Sequence, residues 1–121
     1  MKPLNGIKVI DLTHMLAGPY AGMVIADLGA EVVKVEPLVT GEMTRGLLKT
    51  DPNYSFKEFG AYFLTLNRNK KSVSVDLKSE EGLAVFYELV KSADVVLNNF
   101  SAGVVNKLKI DFDSLKQIYL L

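Results

Sequence analysis

Residues 7–36 carry the pattern that most constrains the fold of this chain. Ile7-Lys8-Val9-Ile10-Asp11-Leu12 is a short β-branched run ending in turn residues, which reads as a strand. The turn Thr13–Gly18 follows, and Pro19 suits the first position of a helix, where its missing N–H is not needed. Tyr20 to Leu28 continues that helix, and Gly29 falls where a helix C-terminus takes a positive φ. Glu31–Glu36 is a second strand, closed by Pro37. Strand, short helix and strand in this order form a βαβ unit, which requires a right-handed crossover and parallel pairing.

From Leu38 to Tyr62 the periodicity dissolves, and Gly41, Gly46, Pro52 and Gly60 sit among polar residues. A long excursion over the surface is expected, of the kind that is usually functional or mobile. Ser72–Leu77 alternates as a third strand. Ser79 is placed to cap a helix whose first turn holds Glu80 and Glu81, complementing the helix dipole. Leu83, Phe86, Leu89, Val90 and Ala93 share one helical face, so Glu80–Ser92 reads as a helix. Asp94–Asn98 is a fourth strand, Ala102–Leu108 a short helix, and Asp113 the expected cap of a last helix from Ser114. Strands alternating with helices imply an α/β fold with a parallel sheet.

Composition narrows the function classes. With 121 residues, one domain is the natural expectation. Fourteen Lys+Arg against 14 Asp+Glu give a net charge of +0, which removes any broad attraction to nucleic acid or to an anionic membrane. The absence of Cys excludes disulfides, cysteine zinc sites and thiol nucleophiles. Leu12 to Ala26, the longest run without a formal charge, is too short to span a bilayer, and Met1–Gly6 leads into a strand without a cleavable apolar core. The expectation is a protein of a reducing compartment, the cytoplasm.

Open α/β sheets place their ligands at the carboxyl ends of the strands. Here the first such turn reads Thr13-His14-Met15-Leu16-Ala17-Gly18-Pro19, without the G-x-G-x-x-G of a dinucleotide site, although Glu36 stands where such folds keep a ribose-binding acid. There is no Walker loop. His14, the single imidazole, is either a ligand-contacting or proton-handling group or a hydrogen-bonded turn residue. No metal site is expected, since no second His or Cys accompanies it. Asn67-Arg68-Asn69-Lys70-Lys71 with Lys78 is either a grip for a phosphate-bearing ligand or a solvated turn. Asn98-Asn99-Phe100-Ser101-Ala102-Gly103 is either an anion- or amide-binding corner at a helix start or simple capping by Asn99 or Ser101. Asp11, Asp27, Asp76 and Asp94 form no arrangement that marks a nucleophile or an acid/base pair.

Assembled, the motifs resemble the amino-terminal signature of the class III CoA-transferase family, which includes formyl-CoA transferase, carnitine CoA-transferase and α-methylacyl-CoA racemase. The resemblance rests on Pro3-Leu4-x-Gly6-Ile7-x-Val9-Ile10-Asp11, Ala17-Gly18-Pro19 and Asp27-Leu28-Gly29-Ala30-Glu31-Val32-Val33-Lys34-Val35-Glu36. It continues through Gly41-Glu42-x-x-Arg45, Asn67-x-Asn69-Lys70-Lys71-Ser72-Val73-x-Val75-Asp76-Leu77-Lys78 and Ala93-Asp94-Val95-Val96-x-Asn98-Asn99-Phe100, nearly the whole chain in order.

The resemblance implies a Rossmann-like parallel sheet with flanking helices. Residues 1–121 would be the amino-terminal portion of a larger CoA-binding domain in a two-domain subunit, two of which interlock as a homodimer. It implies no tightly bound cofactor, with coenzyme A or an acyl-CoA as substrate and a carboxylic acid as acceptor. Positions matching the family's CoA contacts are Leu16, Ala17, Val75, Asp76, Leu77, Lys78, Asn99, Phe100, Ser101 and Lys107, with His14 near the pantetheine or thioester end. Lys78 and Lys107 would pair with phosphates, and the excess at Arg68, Lys70, Lys71 and Lys78 would meet a phosphate-rich ligand. In the transferases an aspartate attacks the acyl-CoA thioester, forms a mixed anhydride and passes CoA to the acceptor; in the racemases an acid/base pair moves the α-proton. The resemblance puts both sets beyond Leu121. It implies an amino-terminal fragment of an acyl-CoA:carboxylate CoA-transferase carrying part of the CoA site; the alternatives are an acyl-CoA racemase, which these residues do not separate from a transferase, a non-catalytic CoA- or nucleotide-binding module, and a remnant without a ligand.

Overall fold

The computed structural model describes residues 1–120. The chain runs β1 (Lys8–Asp11), α1 (Ala17–Asp27), β2 (Glu31–Glu36), a 3-10 turn (Met43–Arg45), β3 (Ser55–Phe56), β4 (Phe59–Gly60), α2 (Ala61–Leu66), β5 (Lys70–Ser74), α3 (Glu80–Lys91), β6 (Val95–Leu97), α4 (Val104–Lys107) and α5 (Phe112–Tyr119). Four strands form one parallel sheet in the order β5-β2-β1-β6, while β3 and β4 form a separate antiparallel hairpin. The chain therefore winds outward from β1 in one direction and then crosses to its other side for β6. That reversal opens a crevice above the β1 and β6 carboxyl ends.

The sheet separates two apolar layers. Ile10, Leu12, Val33, Val35 and Val75 face α3, where Phe86 and Val90 fill the space one helical turn apart and Ala93 and Ile110 complete the cluster. Val9 and Val32 point the other way, into Ala26 and Ala30. Burial on both faces is what parallel strands between helices require. In α1 the buried residues Gly18, Pro19, Gly22, Met23 and Ala26 lie on one side of the helix. Gly22 is required by proximity: a β-carbon there would stand 2.8 Å from the Asp11 carboxylate.

Several boundaries differ from the sequence expectations. α1 begins at Ala17, so Pro19 is its third residue. The third strand of the parallel sheet is Lys70–Ser74, starting two and ending three residues earlier than its alternation suggests, because Asn69 closes the preceding turn at φ 63 and the chain leaves the ladder after Val75 N–H donates to Glu36 O at 2.9 Å. The excursion is less irregular than its composition implies, since it holds the hairpin and α2. The last helix is capped by Asp111, whose carboxylate accepts the Ser114 N–H at 3.2 Å, and not by Asp113. Residue 121, named above as the end of the expected CoA-binding portion, lies outside the described residues.

Candidate functional site

The carboxyl ends of all four parallel strands meet around an open groove of about 530 Å3. Leu12 and His14 follow β1, Glu36, Pro37 and Leu38 end and follow β2, Val75–Lys78 follow β5, and Phe100 follows β6. Val104 and Leu108 form its outer wall. A second groove of about 570 Å3 shares Leu77, Lys78, Val104 and Leu108 with the first and adds Lys107 and Lys109. The two grooves adjoin along this shared wall as a trough, the first predominantly apolar toward the strand ends and the second carrying Lys78, Lys107 and Lys109 beside Glu80.

Of the residues singled out from the sequence, His14, Val75, Asp76, Leu77, Lys78 and Phe100 line the first groove and Lys107 the second. Val75 is buried in the core, and its neighbours turn outward: the Asp76 carboxylate accepts the Lys78 N–H at 3.0 Å. Leu16, the N-cap of α1, and Ala17, its first residue, are exposed and line neither groove. Ser101 likewise lies outside the lining, its carbonyl accepting from Val104 N–H at 3.2 Å. Asn99 acts from behind. Its Oδ1 accepts the His14 N–H at 2.9 Å and its Nδ2 donates to the His14 carbonyl at 2.8 Å. This pair of hydrogen bonds joins the segment after β6 to the segment after β1 across the topological switch. Both alternatives for Asn98–Gly103 are corrected: the Asn99 amide is occupied by the His14 main chain, and the four-residue α4 starts only at Val104, with Gly103 at φ 80 as its N-cap and no side-chain cap from Asn99 or Ser101.

The basic run Asn67–Lys71 does not reach this trough. Arg68 pairs with Asp27, Lys71 with Glu31 at 3.3 Å, and Lys70 with Asp11 at 2.8 Å. Lys70 and Lys71 open β5, so the run lies at the start of the strand whose far end leads into the groove. Lys78, Lys107 and Lys109, exposed and without a carboxylate partner among the described residues, are the groove-lining cations left for a ligand.

Behind the trough lies a polar layer that the sequence does not announce. Lys70 Nζ donates to Asp11 Oδ2 at 2.8 Å, to Pro19 O at 2.8 Å and to Asn67 Oδ1 at 3.0 Å. Lys34 Nζ donates to Thr13 O at 2.7 Å and stands 3.8 Å from Asp11. Glu36 accepts from Arg45 Nε and Nη2 at 2.5 and 2.7 Å, from Ser72 Oγ at 2.6 Å and from the Glu42 N–H at 2.8 Å. Glu42 in turn accepts from Met15 N–H at 2.8 Å and from the Thr44 N–H and hydroxyl. Lys34 and Lys70 pair with Asp11 and Arg45 with Glu36, as burial demands, whereas Glu42 is held by neutral donors and faces His14. Burial raises the Glu36 carboxyl, but the hydrogen bonds from Arg45, Ser72 and Glu42 N–H override it and hold the group at about 2. Burial lowers Lys34, with Asp11 opposing, and lowers the His14 imidazole, with Glu42 opposing.

The family model of CoA-transferase family III matches residues 4–119. The chain belongs to this family. A formyl-CoA:oxalate CoA-transferase of Afipia carboxidovorans is 38% identical over 117 residues, 97% of this chain and 27% of that protein. A succinyl-CoA:glutarate CoA-transferase of Mus musculus is 40% identical over 118 residues, 98% of this chain and 26% of that protein. The crystal structure of a CAIB/BAIF family protein from Brucella suis superposes with a TM-score of 0.87 at 41% identity, covering 97% of this chain and 31% of that one. The chain thus spans about a quarter of the length of these curated relatives. Family III membership agrees with the parallel sheet found here. No helix among the described residues is long and apolar enough to cross a membrane.

Proposed function

We propose that residues 1–121 are the amino-terminal part of an acyl-CoA:carboxylate CoA-transferase and carry part of its CoA site. One observation carries this reading: segments far apart in sequence, Leu12–His14, Val75–Lys78, Phe100 and Lys107, line one trough at the strand ends. The trough's apolar half suits a pantetheine arm, and Lys78 and Lys107 suit phosphates. In this reading Leu16, Ala17, Asn99 and Ser101, which do not line the grooves themselves, complete the CoA contacts as the family resemblance implies. CoA enters as substrate rather than resident cofactor, and a carboxylic acid is the acceptor. The nucleophilic aspartate lies outside these residues, and the working unit is a cytoplasmic homodimer. Relatives named as transferases favour transfer over racemisation.

Calorimetric titration of the folded chain with coenzyme A tests the reading. Saturable binding that weakens when the phosphates are removed, as with pantetheine in place of CoA, supports it. A demonstrably folded chain that takes up no CoA overturns it in favour of a remnant without a ligand.

A further inference from the structure

His14 is the single histidine of the chain, and the fold immobilises it closely. Its main chain is held on both sides by Asn99, and its ring stands 5.8 Å from Phe100 at an interplanar angle of 46°. The imidazole lines the groove with about a fifth of its side chain exposed. Its Nδ1 is enclosed and has no hydrogen-bond partner. The Oε1 of Glu42 lies 3.8 Å from that atom.

Glu42 cannot easily turn away. Its carboxylate is 1% exposed and is anchored by Met15 N–H and by the Thr44 N–H and hydroxyl, while its own N–H is held by Glu36, which Arg45 clamps. A neutral imidazole carries one proton, on either nitrogen. A lone pair on Nδ1 would face a buried carboxylate oxygen and be repelled, whereas a proton there is attracted, and the enclosed site strengthens the difference. The other charged groups bearing on the ring are Lys34, Asp11 and Glu36; Lys34 already bonds Thr13 O and neighbours Asp11. From the segment after β6 the neutral Asn99 and Phe100 bear on it.

We propose that Glu42 is a positioning residue: it fixes His14 in the Nδ1–H tautomer, so that Nε2 faces the groove as a hydrogen-bond acceptor for an N–H or S–H donor of the ligand's pantetheine arm. The tautomer follows from the geometry alone; the identity of the donor rests on the CoA reading above. Which nitrogen carries the proton is set by what the other one faces. Burial, which keeps the ring neutral, preserves the acceptor.

With one histidine, nitrogen-15 NMR of the uniformly labelled chain gives one pair of ring resonances to read. At pH 8, the Nδ1–H pattern is expected in the ligand-free protein, and a dominant Nε2–H pattern overturns the proposal without any variant being made. In Glu42→Gln the tautomer is expected to redistribute toward Nε2–H and the imidazole pKa to fall further, since the carboxylate that raises it is gone; a purely structural Glu42 would move neither. Titration with coenzyme A is expected to shift the Nε2 resonance. Calorimetric binding with an unmoved Nε2 overturns the acceptor role. No binding, with the Nδ1–H tautomer intact, overturns the CoA reading and leaves the Glu42 role standing.

Discussion

Lys70, the first residue of β5, places its ammonium 2.8 Å from the carboxylate of Asp11, the last residue of β1, with both side chains almost wholly buried. The two strands are not neighbours, because β2 lies between them, so this pair ties the sheet across its width. Removing one partner leaves a charge buried without compensation, and Lys34 at 3.8 Å replaces only part of what is lost. Lys70→Met is expected to cost about 3 kcal/mol in urea unfolding. Lys71→Met, next in sequence but exposed and paired with Glu31, is expected to cost less than about 0.5 kcal/mol. Equal costs would show that the buried pair contributes nothing particular.

The same contrast separates the cations by function. Lys78 sits at the carboxyl end of β5 in the trough, whereas Arg68 precedes β5 and is engaged by Asp27. Lys78→Ala is expected to weaken CoA binding roughly fivefold, the worth of one solvent-screened ion pair of about 1 kcal/mol. Arg68→Ala is expected to leave the affinity unchanged. Calorimetry showing the reverse order would move the phosphate site to the other end of the sheet.

Gly82, in the first turn of α3, lets that helix approach the strand end behind the groove. A β-carbon there would lie 2.0 Å from the Asp76 carbonyl oxygen, a backbone atom that cannot swing aside. Gly82→Ala therefore has to push α3 and the Asp76–Lys78 segment apart, at an expected cost of about 1–3 kcal/mol. Because Asp76, Leu77 and Lys78 line the groove, CoA affinity should fall as well. Unchanged affinity in a destabilised Gly82→Ala protein would separate the helix start from the site.

What was legible in the sequence and what was not follows from how far each signal reaches. The β1–α1–β2 unit was readable because the β-branched runs, Pro19 and Gly29 act locally, and Gly29 does adopt φ 107. The β5 offset arose because an edge strand exposed at Lys71, Ser72 and Ser74 does not tie its alternation to a buried face. α2 has Gly60 as an N-cap with no side-chain bond, so no local signal announces it. The buried charges were the least readable. Lys34 and Glu36 share a strand face with buried Val32, yet charged residues at alternate positions read as solvent-facing. Their partners arrive from Arg45, Ser72 and Asp11, far along the chain. The loss of periodicity over Leu38–Tyr62 marked the excursion as functional or mobile, but neither it nor the Gly41-Glu42-x-x-Arg45 match indicated that Glu42 and Arg45 fold back onto the strand ends.

Glu36 and Arg45 give the fold a defined acid limit. Glu36 is held at about 2 in the folded chain, against 4.5 for an ordinary glutamate. A carboxyl depressed by folding adds stability that is complete above its unfolded pKa and is lost as pH falls through its folded pKa. The window is therefore pH 4.5 down to 2, and the loss across it amounts to about 3 kcal/mol. Urea midpoints measured from pH 6 to pH 2.5 should fall mainly below pH 4.5. In Arg45→Met the fall should shrink, because burial then opposes the charged form with only Ser72 and the Glu42 N–H left to support it. An equally steep acid fall in Arg45→Met would assign the loss to carboxylates other than Glu36.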